Sequence, residues 1–244
     1  MPTTLSPVNR AAVEELPMGC VGCGSRTLGI CGALAGSELS ELSQMSQRRS
    51  IPAGSRIVRG SSPSDTFGVV LSGAVSLSKS LPDGRHQIVA LQFAPSFIGR
   101  PFRETEDTEL NASGQVRICA FPRGRFETML SHNRALEHRL LTETLNQLDD
   151  SRDWLIALGR KTAIERVATY LDMLASHARL APAGGSTEIA MPLSRGEIAD
   201  FLGLTIETVS RKMTELRKMG VIAFQSAASI RILSPSGLRQ VSGT

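Results

Sequence analysis

No apolar run in this chain approaches the ~18–20 residues that a helix needs to cross a bilayer, so a membrane-spanning role is not expected. The opening stretch, MPTTLSPVNRAAVEELP, contains no apolar core of a secretory signal. A cytoplasmic location is the expectation, and reduced thiols go with it, which argues against a structural disulfide framework. Catalytic signatures are missing too. There is no phosphate-binding P-loop, no nucleophile elbow and no HExxH, so no enzyme is expected. Internal repeats are absent as well. Neither sign of charge dominates, with 27 basic against 23 acidic side chains in 244 residues. Its placement is more informative than its size. Residues 1–159 carry 16 basic and 16 acidic side chains, whereas residues 160–244 carry 11 and 7. All of the positive excess lies in the last third, a bias that hints at nucleic acid.

What the chain does contain falls into four zones. Residues 1–17 are small and polar and read as a mobile tail. Residues 18–130 hold a cysteine-rich segment followed, from about Ser50 to Phe121, by short alternating apolar runs such as FGVVLSGAVSLSKSL and QVRICAFP. Turn signals separate these runs, and Pro82-Asp83-Gly84 reads as a hairpin, so a β-roll or jelly roll is expected. Residues 131–159 form a Leu-rich helical pattern without Gly or Pro up to Leu158. Its best 3–4 spacing is Leu141, Thr144, Leu148, Ser151, Leu155 and Leu158, which reads as a seam pairing two copies of the helix across a two-fold axis. The competing reading packs that stripe on the roll instead. Two polar positions, Thr144 and Ser151, would keep such pairing weak. In residues 160–244 a further amphipathic helix spans Lys161 to His177, a loop covers 181–187, and two short helices and a hairpin follow.

The segment LSRGEIADFLGLTIETVSRKMTELRKMGVI carries the most specific signal. Ser194 and Glu197 fit a capping box that opens a helix with Ile198, Phe201 and Leu202 on its apolar face. Gly203 permits a sharp turn, and Thr205 can cap a second helix with Val209, Met213 and Leu216 inside. Small Ala199, the Gly203 turn and Val209 have the spacing of a helix-turn-helix. Around the start and outer face of the second helix stand Thr205, Glu207, Thr208, Ser210 and Arg211. In a major groove, Arg can hold guanine in a bidentate manner, Glu can accept from cytosine N4, and Ser can serve several partners. Glu207 and Arg211 could also be a solvated ion pair four residues apart. After Gly220, VIAFQSAASIRILSP reads as a hairpin that would make the domain winged.

Three of the four cysteines, Cys20, Cys23 and Cys31, fall within MGCVGCGSRTLGIC, and the fourth is Cys119. Free cysteines often pack as small hydrophobes, and Cys119 alone could be one. Three among Gly19, Gly22, Gly24, Gly29 and Gly32 have little core to enter. Structural zinc usually draws its four ligands as two close pairs. One close pair, one looser Cys and one distant Cys suits an iron–sulfur cluster better, and the glycines allow the backbone to wrap closely. No His lies in the segment, so an all-thiolate site is the simplest reading; zinc stays open as the alternative.

A β-roll, a long helix and a winged helix-turn-helix together resemble the CRP/FNR family of bacterial transcription regulators over roughly residues 18–236. The resemblance implies an α+β fold with an N-terminal cyclic-nucleotide-binding-like roll, a dimerisation helix and a C-terminal DNA-binding domain. The run IETVSR, Ile206 to Arg211, is similar to the FNR branch, which implies TTGAT half-sites read by Glu207 and Arg211 on double-stranded DNA. That branch holds a [4Fe-4S] cluster through four cysteines, matched here by Cys20, Cys23, Cys31 and Cys119. The Cys23–Cys31 spacing is two residues longer than in the founding FNR and resembles the FnrN/FixK-like branch. The implied behaviour is oxygen sensing, with a homodimer that binds DNA and contacts RNA polymerase while the cluster is intact. A cyclic nucleotide is not expected. Gly99-Arg100-Pro101 and Asn111-Ala112-Ser113 stand where nucleotide sensors carry an acidic residue and a phosphate-binding Arg, and an unpaired buried phosphate is expensive.

Overall fold

In the computed structural model, residues 17–58, 65–103, 108–180 and 188–243 are described. The expected mobile tail falls outside them except for Pro17, and the expected loop at 181–187 falls outside them entirely. The cysteine segment folds as a 3-10 turn (Met18–Cys20), helix α1 (Gly24–Leu28), a second 3-10 turn (Ile30–Ala33) and helix α2 (Gly36–Met45). Six strands follow: β1 (Gln47–Ile51), β2 (Arg56–Val58), β3 (Thr66–Ser80), β4 (His86–Phe93), β5 (Phe97–Ile98) and β6 (Glu109–Pro122). They form one antiparallel sheet in the order β1-β6-β3-β4, with β2 also on β6 and β5 also on β3.

The roll has two apolar layers because its long strands bury residues on both faces. Val70, Val75, Leu110, Val116 and Ile118 fill its interior. On the other side Phe67, Phe97 and Phe121 meet Phe126, Ile30, Leu39, Leu42 and Leu136. The Phe121 and Phe126 rings are 4.7 Å apart between centroids, close enough to add to simple burial. The Pro82-Asp83-Gly84 hairpin forms as expected, joining β3 to β4, with Leu81 N–H donating to the Arg85 carbonyl.

The long helix starts later than its pattern suggested. Helix α3 (Arg123–His132) ends at Asn133, which is extended and accepts from Leu136 N–H at 2.9 Å; helix α4 (Arg134–Arg160) begins there. An Asn cap inside a continuous helical pattern thus divides it into two helices. Helix α5 (Ala163–Leu180) is offset similarly, because the Glu165 carboxylate accepts from the backbone N–H and hydroxyl of Thr162 and sets its start.

Beyond it come β7 (Glu188–Ala190), α6 (Arg195–Leu202), α7 (Ile206–Lys218), β8 (Ile222–Phe224), β9 (Ser229–Ile232) and α8 (Pro235–Ser242). The expected hairpin is β8–β9. Strand β7 adds a third member, in the order β7-β9-β8, and α8 packs on α5; sequence patterns flagged neither. The two halves share a core. Ile88 of β4 is buried with Tyr170, Phe201 and Leu202, Gln87 donates to the Phe201 carbonyl at 3.0 Å, and His86 lies 2.9 Å from Asp200.

Candidate functional site

The recognition unit is built from caps and one turn. Ser194 accepts from Glu197 N–H at 3.2 Å while the Glu197 carboxylate accepts from Ser194 N–H at 2.7 Å, closing the capping box at the start of α6. Gly203 ends α6 with φ 61° and ψ 44°, left-handed backbone in which a β-carbon is strained. From α5, Arg166 donates to the Leu202 carbonyl at 3.1 Å and steadies that end. Thr205 then caps α7, accepting from Thr208 N–H at 3.2 Å.

Helix α7 divides sharply into two faces. Val209, Met213 and Leu216 are fully buried, whereas Glu207, Ser210 and Arg211 are exposed. Thr205 and Thr208 are tied to each other at the cap, their hydroxyls 3.1 Å apart. The Glu207 carboxyl is held below its ordinary range by hydrogen bonds from its own backbone N–H and from Thr205. It therefore stands as an ionised acceptor at neutral pH. Lys212 pairs with Glu215 at 2.7 Å, but among the described residues no ion pair joins Glu207 to Arg211. Behind the helix, Arg195 and Arg217 lie 5.7 and 5.3 Å from the Phe224 ring centroid and fasten the wing to the helices.

The second site gathers the cysteines. Cys20 closes the first 3-10 turn, Cys23 precedes α1, Cys31 lies in the second turn, and Cys119 sits within β6 between Arg48 of β1 and Val69 of β3. All four are half-buried free thiols. The segment is pressed onto the roll by Ser25, whose buried hydroxyl donates to the Val70 carbonyl at 3.1 Å, and by fully buried Ile30. Close backbone approach explains two of its glycines. A β-carbon on Gly29 would lie 2.9 Å from the Pro95 and Ser25 carbonyl oxygens, and one on Gly32 would lie 2.8 Å from that of Thr27.

Burial pushes the Cys31 thiol up to about 12, and the charges of Cys119, Cys20 and Cys23 add to the rise. Cys119 is also raised, first by burial and then by Cys20 and Cys23, against the opposing pull of Ser46 and Arg48. The segment lies against the roll, tied to it by Ser25 and by Arg48, which faces Cys119 across the β1–β6 ladder. Among the described residues, though, no three His, Cys, Asp or Glu side chains converge as ligands of a metal ion.

Helix α4 presents a separate apolar stripe. Leu141, Leu148 and Leu155 are exposed, and so is Thr144, while Ser151 and Leu158 are half-buried. The Thr144 and Ser151 hydroxyls each donate to the carbonyl four residues back, at 2.8 Å, so neither is left unsatisfied. Leu145 and Ile156 are exposed beside the stripe, and sequence spacing missed both. A helix presenting several adjacent apolar residues can explain their exposure only after its opposite, buried face is known. Between α4 and the roll lies a cavity of about 1390 Å³, bordered by Gln92, Arg100, Arg134, Glu143 and Gln147. Among the described residues no helix is long and apolar enough to cross a membrane.

Comparisons with known proteins agree with this architecture. A Crp-like helix-turn-helix domain matches residues 165–241, and a cyclic nucleotide-binding domain matches residues 48–133. A probable transcriptional activator of Rhizobium leguminosarum bv. viciae is 46% identical, covering 86% of this chain and 87% of its own length. The transcriptional activator protein FnrL of Cereibacter sphaeroides is 34% identical over 92% of both chains. The solved structure of FixK2 from Bradyrhizobium japonicum superposes with a TM-score of 0.74 and 29% identity, covering 82% of this chain and 98% of that one. The matched families are regulatory rather than enzymatic, and with its roll, long helix and recognition unit the chain belongs to the CRP/FNR family of transcription regulators.

Proposed function

We propose that this chain is an oxygen-responsive transcription activator that holds a [4Fe-4S] cluster and, as a homodimer, binds FNR-type TTGAT half-sites. The observation that carries the reading is that the segment holding Cys20, Cys23 and Cys31 is pressed onto the roll, while Cys119 lies in β6 directly opposite Arg48, whose guanidinium reaches Gly19. One close pair of thiols, one looser Cys and one remote Cys suit a cluster better than a single zinc, which usually draws its ligands as two close pairs. When bound, such a cluster supplies a redox-active centre that oxygen can destroy. The protein's own residues supply the rest. Ile30 and Leu34 pack with Leu136 and Leu140 of α4, and the Arg139 guanidinium donates to the Leu28 carbonyl. Order in the cysteine segment is thereby coupled to the first half of α4, the helix whose exposed leucines would pair across the two-fold axis. In the dimer, ionised Glu207 would accept from cytosine and Arg211 would hold guanine, with Ser210 between them. Contact with RNA polymerase would complete activation.

Iron, sulfide and visible absorbance on protein purified without air test the cluster. A brown preparation that bleaches in air is expected; a colourless zinc protein would replace this reading with a structural-zinc or thiol-redox regulator. Replacing any one of Cys20, Cys23, Cys31 or Cys119 by Ser should abolish bound iron. Full iron content in Cys119→Ser would remove Cys119 as the fourth ligand.

A further inference from the structure

Downstream of Cys23 the cysteine segment is anchored by buried groups, Ser25 and Ile30. Upstream it is not. The Met18–Cys20 turn contributes no buried residue, and Met18 is 94% exposed. Hydrogen bonds within this stretch are local, from Cys20 N–H to the Pro17 carbonyl and from Cys23 N–H to the Cys20 carbonyl. A long-range bond reaches it from Arg48, whose guanidinium donates to the Gly19 carbonyl. Arg48 also stands directly opposite Cys119 in the β1–β6 ladder, so the two side chains project from one face of the sheet. One guanidinium therefore holds the residue before Cys20 and shares a face with Cys119. Its neighbour Arg49 projects to the other face, 3.5 Å from the Gln47 side-chain oxygen.

We propose that Arg48 is a positioning residue of the cysteine site: it fastens the Gly19–Cys20 turn across β1 toward Cys119 and sets a permanent positive charge beside ligands that are anionic when metal-bound. The inference rests on the cluster reading. Thiolates brought together repel one another, and a guanidinium stays charged at any working pH while its fork of donors keeps a fixed direction. Lysine could restore the charge without the fork.

The test uses the full chain purified without air, beside Arg48→Gln, Arg48→Lys and Arg49→Gln. Iron per chain is measured, then the decay of visible absorbance after an iron chelator is added. Arg48→Gln should lose its iron about tenfold faster, the scale of one hydrogen bond to a charged group. Arg48→Lys should recover part of the loss, and Arg49→Gln should follow the unmodified chain. Equal decay in Arg48→Gln and the unmodified chain would overturn the proposal while leaving the cluster in place. If the unmodified chain binds no iron, the cluster reading fails by itself. Alkylation of Cys20 relative to Cys31 in the metal-free chains then decides the tether: about tenfold faster labelling of Cys20 in Arg48→Gln supports it, and equal labelling overturns it.

Discussion

Replacing Leu155 by Ala separates pairing of the α4 helices from folding of the monomer. Leu155 is 69% exposed in the single chain, so most of its apolar surface is free to be covered by a partner. Fully burying a Leu side chain is worth about 1.5–3 kcal/mol, so covering the free part adds about 1–2 kcal/mol per helix and about 2–4 per dimer. At about 1.4 kcal/mol per decade, the substitution should weaken dimerisation roughly thirtyfold to several-hundredfold. The monomer should scarcely notice, because little of this side chain is buried within it. Trp154 offers the control. It is the chain's one tryptophan, and its ring lies 4.4 Å from that of Phe201, between α4 and the DNA-binding unit. Sedimentation of cluster-loaded protein over a concentration series reads the dimer, and Trp154 emission during thermal unfolding reads the fold. A dimer as tight as that of the unmodified chain, with an unchanged Trp154 signal, would show that this stripe is not the seam.

Three further substitutions probe the seam, the DNA-reading face and the packing of the roll. Ser151→Leu should add about 1–2 kcal/mol of burial per helix and tighten the cluster-free dimer tens- to several-hundred-fold; an unchanged monomer fraction in the ultracentrifuge would leave Ser151 facing the groove beside the roll. Arg211→Ala should cost about 1–3 kcal/mol on the specific site and relax discrimination at the guanine it reads. Equal losses on specific and random DNA would reduce Arg211 to a phosphate contact. Glu143 accepts from Phe97 N–H at 2.6 Å, and burial raises its carboxyl above the ordinary range. A raised native value means its stabilising contribution is present below the unfolded carboxyl value and is lost as pH rises through the native one. Glu143→Gln keeps an acceptor without the buried charge, so its melting temperature at pH 7 should equal or exceed that of the unmodified chain, with the difference shrinking in acid. A lower melting temperature at pH 7 would contradict this.

Local chemistry made the recognition unit legible in the sequence. The Ser194–Glu197 capping box, the Gly203 turn and the Thr205 cap each act within a few residues, and the structure realises all three. Alternation likewise marked β3 and β6, and the Pro82-Asp83-Gly84 turn marked the hairpin at the end of β3. Where one polar residue competes with a periodic pattern, local reading was less secure. Asn133 divides an unbroken helical run, and Thr162 with Glu165 shifts the start of α5.

The four cysteines could be counted, spaced and compared in the sequence, which was enough to suggest a shared all-thiolate site. Only the fold shows what Cys119 faces, because β6 carries it between Arg48 of β1 and Val69 of β3. Tertiary structure alone selected Arg48 from the adjacent pair Arg48-Arg49, since strand pairing puts Arg48 on the Cys119 face and Arg49 on the other. It also lent Ile88 of the roll to the core of the DNA-binding unit. No periodicity records these outcomes. Periodicity reports which face of an element is apolar, whereas the partner of that face depends on chain segments far away in the sequence.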